Sequence, residues 1–106
     1  MKYAARTDDN QVEIVRVFRT MGCSVTDLSG VGKGCPDLLV GHWGVTLPVE
    51  IKTAKGKMTG DQKKWADAWR GSFVVVRSGE DAIDLVRLIR AGEFDVNKRR
   101  RKEIRC

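Results

Sequence analysis

The spacing of apolar and polar residues changes along the chain, and these changes predict a series of helices and strands. Apolar positions at helical spacing predict a first helix over Asp8 to Met21, with Asp8 as its N-cap and Gly22 as its stop. Alternating positions then predict a strand over Cys23 to Leu28. The glycine-rich stretch Ser29 to Gly34 predicts a flexible loop after this strand.

Two apolar runs in the middle of the chain predict an antiparallel hairpin. They are Pro36 to Gly41 and Leu47 to Thr53, and the turn between them is His42-Trp43-Gly44. The rest of the chain predicts a helix, a buried strand and a last helix, at about Thr59–Arg70, Ser72–Val76 and Ser78–Ala91. In the last helix, Ser78 is the N-cap and Asp81 completes a capping box.

The predicted order of elements is α-β-β-β-α-β-α. The strand-helix-strand unit from Leu47 to Val76 predicts a parallel, right-handed crossover, so the sheet contains both parallel and antiparallel pairs. We therefore expect an α/β fold with a mixed central sheet of about four strands, flanked by helices. The 106 residues suffice for one such domain, which we assign to residues 1–97, followed by a tail at 98–106.

Positive charge is concentrated in this tail. The formal net charge is +6, and the last nine residues, with six basic residues and one acid, carry +5 of it. A run of this kind is either a solvated tail or an arm that binds nucleic-acid phosphates.

The composition also limits the cellular compartments in which we expect the protein. No apolar run approaches the roughly 18 residues that a membrane span needs, and the first ten residues lack the apolar block of a signal peptide. The three cysteines, Cys23, Cys35 and Cys106, are odd in number and widely spaced, which argues against a disulfide framework and a structural zinc site. We expect a cytoplasmic protein with reduced thiols and no membrane contact.

Three charged residues interrupt the apolar hairpin. Strand alternation places Glu50 and Lys52 on one face, and a hairpin of this length can bring Asp37 beside Glu50. Two adjacent carboxylates repel, and a divalent cation such as Mg²⁺ relieves that repulsion, with the main-chain carbonyl of Ile51 as a further ligand. Lys52 beside such a metal suits phosphodiester hydrolysis. The structural alternative is a Glu50–Lys52 salt bridge, with Asp37 as a turn residue.

Gln62, near the start of the second helix, admits two interpretations. Thr59-Gly60-Asp61-Gln62 fits a capping box, in which the glutamine bonds back to the Thr59 amide. Gln62 also begins a stripe with Trp65, Ala66 and Trp69, which directs its amide toward the sheet. We favour the functional role and expect that one side chain cannot fully serve both.

Several further residues carry weaker signals. The loop Gly30 to Gly34 does not match a phosphate-binding loop, because its lysine is followed by glycine and by a strand, and we expect no nucleotide cofactor. Lys33 in that loop, and Lys55, Lys57 and Lys63 after the hairpin, are candidates for DNA phosphate contacts or, equally, for solvated lysines. His42 is predicted to be a surface residue. Trp43 is predicted to pack over the hairpin, with stacking on DNA or on a partner subunit as the alternatives.

The ordered set Pro36-Asp37, Glu50-Ile51-Lys52 and Gln62 resembles the PD-(D/E)xK nuclease superfamily. More narrowly, the stretch from Gly32 to Val86 is similar to the stand-alone VRR-NUC domains of bacteriophages and bacteria. The similarity lies in the blocks GKGCPDLLVG, VEIKT and MTGDQ, the strand VVVRS, and the start of the last helix, EDA.

The resemblance implies a restriction-endonuclease-like core and an endodeoxyribonuclease that depends on Mg²⁺ or Mn²⁺. It implies a homodimer that acts on branched DNA such as Holliday junctions. It also implies a protein that a phage can encode and that works inside the host cell. Asp37 and Glu50, with the Ile51 carbonyl, would bind metal, Lys52 would be the catalytic lysine, and Gln62 would support it.

Related resolvases place a glutamate on the first helix. The corresponding position here is Gln11, with Glu13 nearby on a different face, and the sequence leaves open which of the two contributes. Beside a nuclease site we favour the tail as a phosphate-binding arm through Lys98, Arg99, Arg100, Arg101 and Lys102. The alternative function is a non-catalytic DNA-binding or assembly module that keeps the fold.

Overall fold

Seven elements follow one another in the predicted order α-β-β-β-α-β-α. The structure is a computed structural model that describes the backbone of residues 2–93 and the side chains of residues 10–93. The elements are α1 (Lys2–Thr20), β1 (Ser24–Asp27), β2 (Leu38–His42), β3 (Val45–Ile51), α2 (Gly60–Ala68), β4 (Val74–Val76) and α3 (Gly79–Arg90).

The four strands form one mixed sheet in the order β1-β2-β3-β4. The pairs β1–β2 and β2–β3 are antiparallel, whereas β3 and β4, which are joined through α2, are parallel. The α/β class and the four-strand mixed sheet are therefore confirmed. Among the described residues, no helix combines the length and the apolar character needed to cross a bilayer.

The core lies mainly on one face of the sheet, beneath α1 and α3. Alternate residues of β3 point into it, and Val49 is fully buried there. The residues that form this core are Ile14, Phe18, Cys23, Leu38, Val40, Leu47, Val49, Ile51, Val74, Val76, Ala82, Leu85, Val86 and Ile89. The intervening β3 residues face the opposite side, where Gln62 of α2 meets Glu50. Strand β3 is thus covered on both faces.

Two helix ends differ from the predictions. Asp8 is not an N-cap, because α1 already begins at Lys2 and contains Asp8; the alanine-containing stretch before it includes no helix breaker. Helix α2 ends at Ala68 rather than Arg70, since Trp69 is extended.

Ser78 caps α3 as predicted, by accepting a bond from the Asp81 amide. The Asp81 carboxylate, however, accepts from the amide of Arg77 instead of the amide of the cap itself.

The hairpin turn is tighter than predicted. His42 belongs to β2, and Trp43 and Gly44 form a two-residue turn with φ of 49° and 81°. Positive φ at both central residues is the type I′ geometry that suits the twist of a hairpin. Glycine adopts it freely, whereas tryptophan is an unusual occupant of the first position.

The side chains of the turn contradict two predictions. His42 is not a surface residue: it is 7% exposed, and its Nε2 accepts a hydrogen bond from Nε of Arg90 at 3.1 Å. Trp43 does not pack over the hairpin, because 68% of it is exposed. We call the segment His42 to Val45 the tip of the hairpin.

Candidate active site

Asp37 and Glu50 meet at the end of the hairpin opposite the tip. Leu38 pairs with Val49, and the same register continued by one residue sets Asp37 across from Glu50. One Asp37 carboxylate oxygen, Oδ2, accepts a hydrogen bond from the main-chain amide of Ile51 at 2.8 Å. The expected adjacency of the two carboxylates is therefore present. We call this region, with Lys52, the open end of the hairpin.

Glu50, Lys52 and Gln62 form a hydrogen-bonded triangle. The Lys52 amine lies 3.5 Å from Glu50 Oε2 and donates to Gln62 Oε1 at 2.6 Å. The Gln62 amide nitrogen donates to the same Glu50 oxygen at 2.9 Å. Each atom of the glutamine amide thus faces a group of the complementary kind, which fixes the positions of the carboxylate and the ammonium.

Gln62 also completes the capping box of α2. Its Oε1 accepts from the Thr59 amide at 2.9 Å, while Thr59 Oγ1 accepts from the Gln62 amide at 3.2 Å. The expectation that one side chain cannot serve both roles is wrong. A carbonyl oxygen has two lone pairs, so Gln62 Oε1 accepts from the helix cap and from Lys52 together.

The Glu50 carboxyl has an unusual electrostatic environment. It is only 3% exposed, and burial raises its pKa to about 7, helped by the charge of Asp37 and a hydrogen bond with it. Lys52 opposes this shift but does not cancel it. One positive charge therefore faces two carboxyl groups, and full ionisation leaves the site with a net charge of −1.

This donor set fits a hard divalent cation. Mg²⁺ is commonly held by one or two carboxylates and keeps several waters. Within the described residues, no group of three or more histidine, cysteine, aspartate and glutamate side chains is arranged to hold a metal. Asp37 and Glu50 would supply two ligands, and the Ile51 carbonyl and water would complete the set.

Cys35 is a neighbour of the site that the sequence did not single out. Burial raises the pKa of its thiol, and the charges of Asp37 and Glu50 raise it further. The thiol is therefore held in its neutral form beside the carboxylates. Its position two residues before Asp37 was the available signal.

The first helix approaches the site through a different residue from those predicted. Gln11 Nε2 donates to Asp27 Oδ2 at 3.5 Å, and Glu13 lies beside Gly79 at the start of α3. Asn10 is the residue that reaches β3's end, because its Nδ2 donates to the Lys52 carbonyl at 3.2 Å. Gln11 and Glu13 thus have other neighbours within the described residues.

The loop after β3 is held by Arg77, a second residue that the sequence did not reveal. Its Nη1 donates to the carbonyls of Thr53 and Gly56 at 2.7 and 2.8 Å. Both bonds span more than 20 residues of sequence and leave no local pattern. Lys55 and Lys57 are exposed on this fixed loop.

The loop before β2 packs against the first turn of α2. A Cβ added to Gly34, where φ is 81°, would lie 2.2 Å from the Asp61 carbonyl oxygen. Only glycine fits this approach. Lys33 next to it is exposed, with φ of 57°. The five basic residues predicted for the tail, from Lys98 to Lys102, lie outside the described residues.

Comparisons of the chain with protein-family models, with curated proteins and with solved structures gave no match. The site must therefore be interpreted from its own residues and geometry.

Proposed function

We propose that the protein is a Mg²⁺- or Mn²⁺-dependent endodeoxyribonuclease with the PD-(D/E)xK core, acting on branched DNA. One observation carries the proposal: the carboxyl group just before β2 and the one near the end of β3 stand side by side, with a lysine amine 3.5 Å from one of them. The site uses Asp37, Glu50 and Lys52, with Gln62 as the residue that positions the last two.

A structural salt bridge does not account for this arrangement. Lys52 can balance one carboxylate, and a buried Glu50–Lys52 pair alone would be satisfied. Asp37 adds a second carboxylate, and the two repel when both are ionised. A divalent cation removes that cost, so the surplus of negative charge supports a metal site.

The chain's own side chains would prepare the reaction. The Ile51 amide holds the Asp37 carboxylate, and the Gln62 amide holds Glu50. Lys52, only 12% exposed and bonded to Gln62, keeps its ammonium at the edge of the carboxylate pair. There it would stabilise the negative charge that develops on a phosphate.

The bound metal would supply Lewis-acid polarisation and a water of lowered pKa. In the hydrolysis, a water oxygen forms a bond to phosphorus and the bond from phosphorus to the leaving oxygen breaks. The water loses a proton, and the leaving oxygen gains one. Atoms and charges balance without any oxidant, reductant or nucleotide.

The preference for branched DNA and the dimeric state follow from the resemblance to stand-alone VRR-NUC domains. Two cuts in a two-fold symmetric junction need two active sites related by the same symmetry. The exposed lysines Lys33, Lys55 and Lys57 lie on the loops before and after the hairpin, and are proposed phosphate contacts.

Cleavage of four-way-junction, flap, nicked and linear DNA with Mg²⁺ tests the proposal. Wild type is compared with Lys52→Ala and Asp37→Asn, and with Lys64→Ala as a control at an exposed lysine of α2. We expect both site variants to cut at least about 100-fold more slowly, because each removes a group that stabilises the transition state. The control should cut within threefold of wild type.

Equal cleavage by all four proteins would show that the activity is a contaminant. Calorimetry with Mn²⁺ separates the remaining cases, since Glu50→Ala should abolish the heat of binding. A wild type that binds junction DNA but neither binds Mn²⁺ nor cuts would instead be a non-catalytic DNA-binding module.

A further inference from the structure

The tip of the hairpin presents a pre-ordered aromatic ring to solvent. The Trp43 ring is 68% exposed, with the Arg90 guanidinium carbon 5.6 Å from its centroid and the His42 ring stacked 5.7 Å away. Arg90 is itself fixed, because it donates to His42 Nε2 and, through Nη2, to the Met21 carbonyl at 2.7 Å. Arg90 and His42 therefore hold the Trp43 ring in place.

A cleft of about 540 Å³ adjoins the ring. Its volume lies within the range of ligand pockets, roughly 300–1,000 Å³. Its lining includes one cationic side chain, Arg90, and no acidic one: Met21, Gly22, Ser24, Gly41, His42, Trp43, Gly44, Val45, Thr46 and Arg90. The surface thus combines a π face, hydroxyl groups and a positive charge.

We propose that the tip binds an unpaired nucleotide of a single-stranded nucleic-acid segment. The base stacks on the exposed ring of Trp43, and the phosphate lies near Arg90 in the adjoining cleft. Every base has a π face, so such a platform accepts any sequence. The proposal rests on the proposed nuclease function for its context and adds an unpaired strand to the substrate, but the binding itself needs no catalysis.

A protein partner would require a larger apolar surface. Stable interfaces bury about 800 Å² per partner around an apolar centre. The other large exposed hydrophobic residues among those described lie elsewhere, on α1, in the loop before β2 and at the end of α2: Val12, Val31 and Trp69. A single ring with a cation beside it fits a planar, anionic ligand better than a second copy of the chain.

The test measures binding of the full chain to labelled dT15 and to a matching duplex in EDTA, where no cleavage occurs. The informative variant is Trp43→Asn, because Asn-Gly is a favoured type I′ turn and the hairpin should fold at least as well. Trp69→Asn makes the same replacement at the other exposed tryptophan. Trp43→Phe keeps a stacking ring.

We expect Trp43→Asn to weaken binding of dT15 by about tenfold or more, as loss of one stacked base predicts. Duplex affinity should change less than twofold, and the salt dependence should stay as in wild type, since no charge is removed. Trp43→Phe and Trp69→Asn should remain within about threefold.

Three outcomes would overturn the proposal. They are an unchanged dT15 affinity in a folded Trp43→Asn, an equal loss on dT15 and duplex, and a change in oligomeric state by light scattering, which would make the tip a contact between copies. Absence of Mg²⁺-dependent cleavage by wild type would reject the nuclease proposal alone.

Discussion

The two ends of the β2–β3 hairpin differ in how far their charged and aromatic side chains are exposed to solvent. At the open end, the charged groups are buried or half-buried, and each has a hydrogen-bond partner within the fold, as with Glu50 and Gln62. At the tip, a large ring is left in solvent although the turn would prefer another residue at its position. The same two strands connect both ends.

Both ends depart from what folding alone would select. A buried carboxyl is costly unless it is bonded or neutralised, and apolar residues in its place would make a simpler core. Tryptophan at positive φ costs about 1–2 kcal/mol relative to glycine. The middle of the hairpin, where Val40 and Leu47 are paired and buried, follows the ordinary rules of strand packing. The departures therefore mark candidate functional regions.

The largest expected effect tests whether the open end depends on its network. Gln62→Ala removes the bonds to Glu50 and Lys52 together with half of the capping box. We expect single-turnover cleavage to fall about 10- to 100-fold, within the range for loss of one positioned group.

Thr59→Ala is the matched control, because it removes the cap hydroxyl but leaves the glutamine bonds to the site. It should cost about 1 kcal/mol of stability, typical of a lost N-cap, and leave cleavage within threefold. Similar losses of cleavage in the two variants would mean that Gln62 acts only through the helix.

A second variant tests whether the open end is rigidly packed. Gly34→Ala should lower the free energy of unfolding by about 2–4 kcal/mol, because the new Cβ would overlap the Asp61 carbonyl and φ is positive. Urea denaturation measures the change. Gly30→Ala, in the same loop but with open space around it, should change stability by less than about 0.5 kcal/mol. Equal losses of stability in the two variants would show that the loop shifts to accommodate the methyl group added at Gly34.

The pH dependence of stability tests the charge balance at the open end. In metal-free protein the Glu50 pKa is raised from 4.5 to about 7, so the folded state binds its proton more tightly than the unfolded state does. The contribution of Glu50 to the free energy of unfolding is therefore complete below about pH 4.5 and is lost as the pH rises to about 7. Each unit of difference between the folded and unfolded pKa corresponds to roughly 1.4 kcal/mol.

Glu50→Gln should flatten the curve of unfolding free energy against pH between 4.5 and 7. Saturating Mg²⁺ should do the same in wild type by favouring the ionised carboxylate. A wild-type curve that already matches Glu50→Gln without metal would contradict the raised pKa.

The smallest expected effect concerns the tip. Trp43→Asn relieves an unfavourable turn conformation but gives up the contact with Arg90, which is worth about 0.5–1 kcal/mol at an exposed site. The net change in unfolding free energy should be about 0.5 kcal/mol or less, in the stabilising direction. Thermal melting measures it. A loss above about 1 kcal/mol would mean that the ring holds the hairpin together.

The order and type of elements could be predicted because they follow from local pattern. Alternation identified β1, apolar runs identified the other three strands, and Thr59 and Ser78 marked true helix starts. The start of α1 was missed because a carboxylate that resembles a cap can also lie within a helix, as Asp8 does. Hairpin register then brought Asp37 to Glu50, since pairing of apolar residues fixes which positions face each other.

The supporting contacts could not be predicted, because they join distant parts of the chain. Asn10 bonds to a carbonyl 42 residues away, and Arg77 to carbonyls more than 20 residues away. Side chains that bond to backbone leave no periodic signal in sequence. Burial of His42 was hidden for the same reason, since its partner Arg90 is 48 residues further along.

The shared carbonyl oxygen of Gln62 joins the first turn of α2 to the amine of Lys52. Helix ends open more readily than sheet centres, and they do so well below the temperature of global unfolding. Each time this turn frays, the lysine loses the bond that orients it while the rest of the fold stays intact. In the proposed nuclease, heating should therefore lower the cleavage rate at temperatures below the midpoint of global unfolding, because the start of α2 opens first.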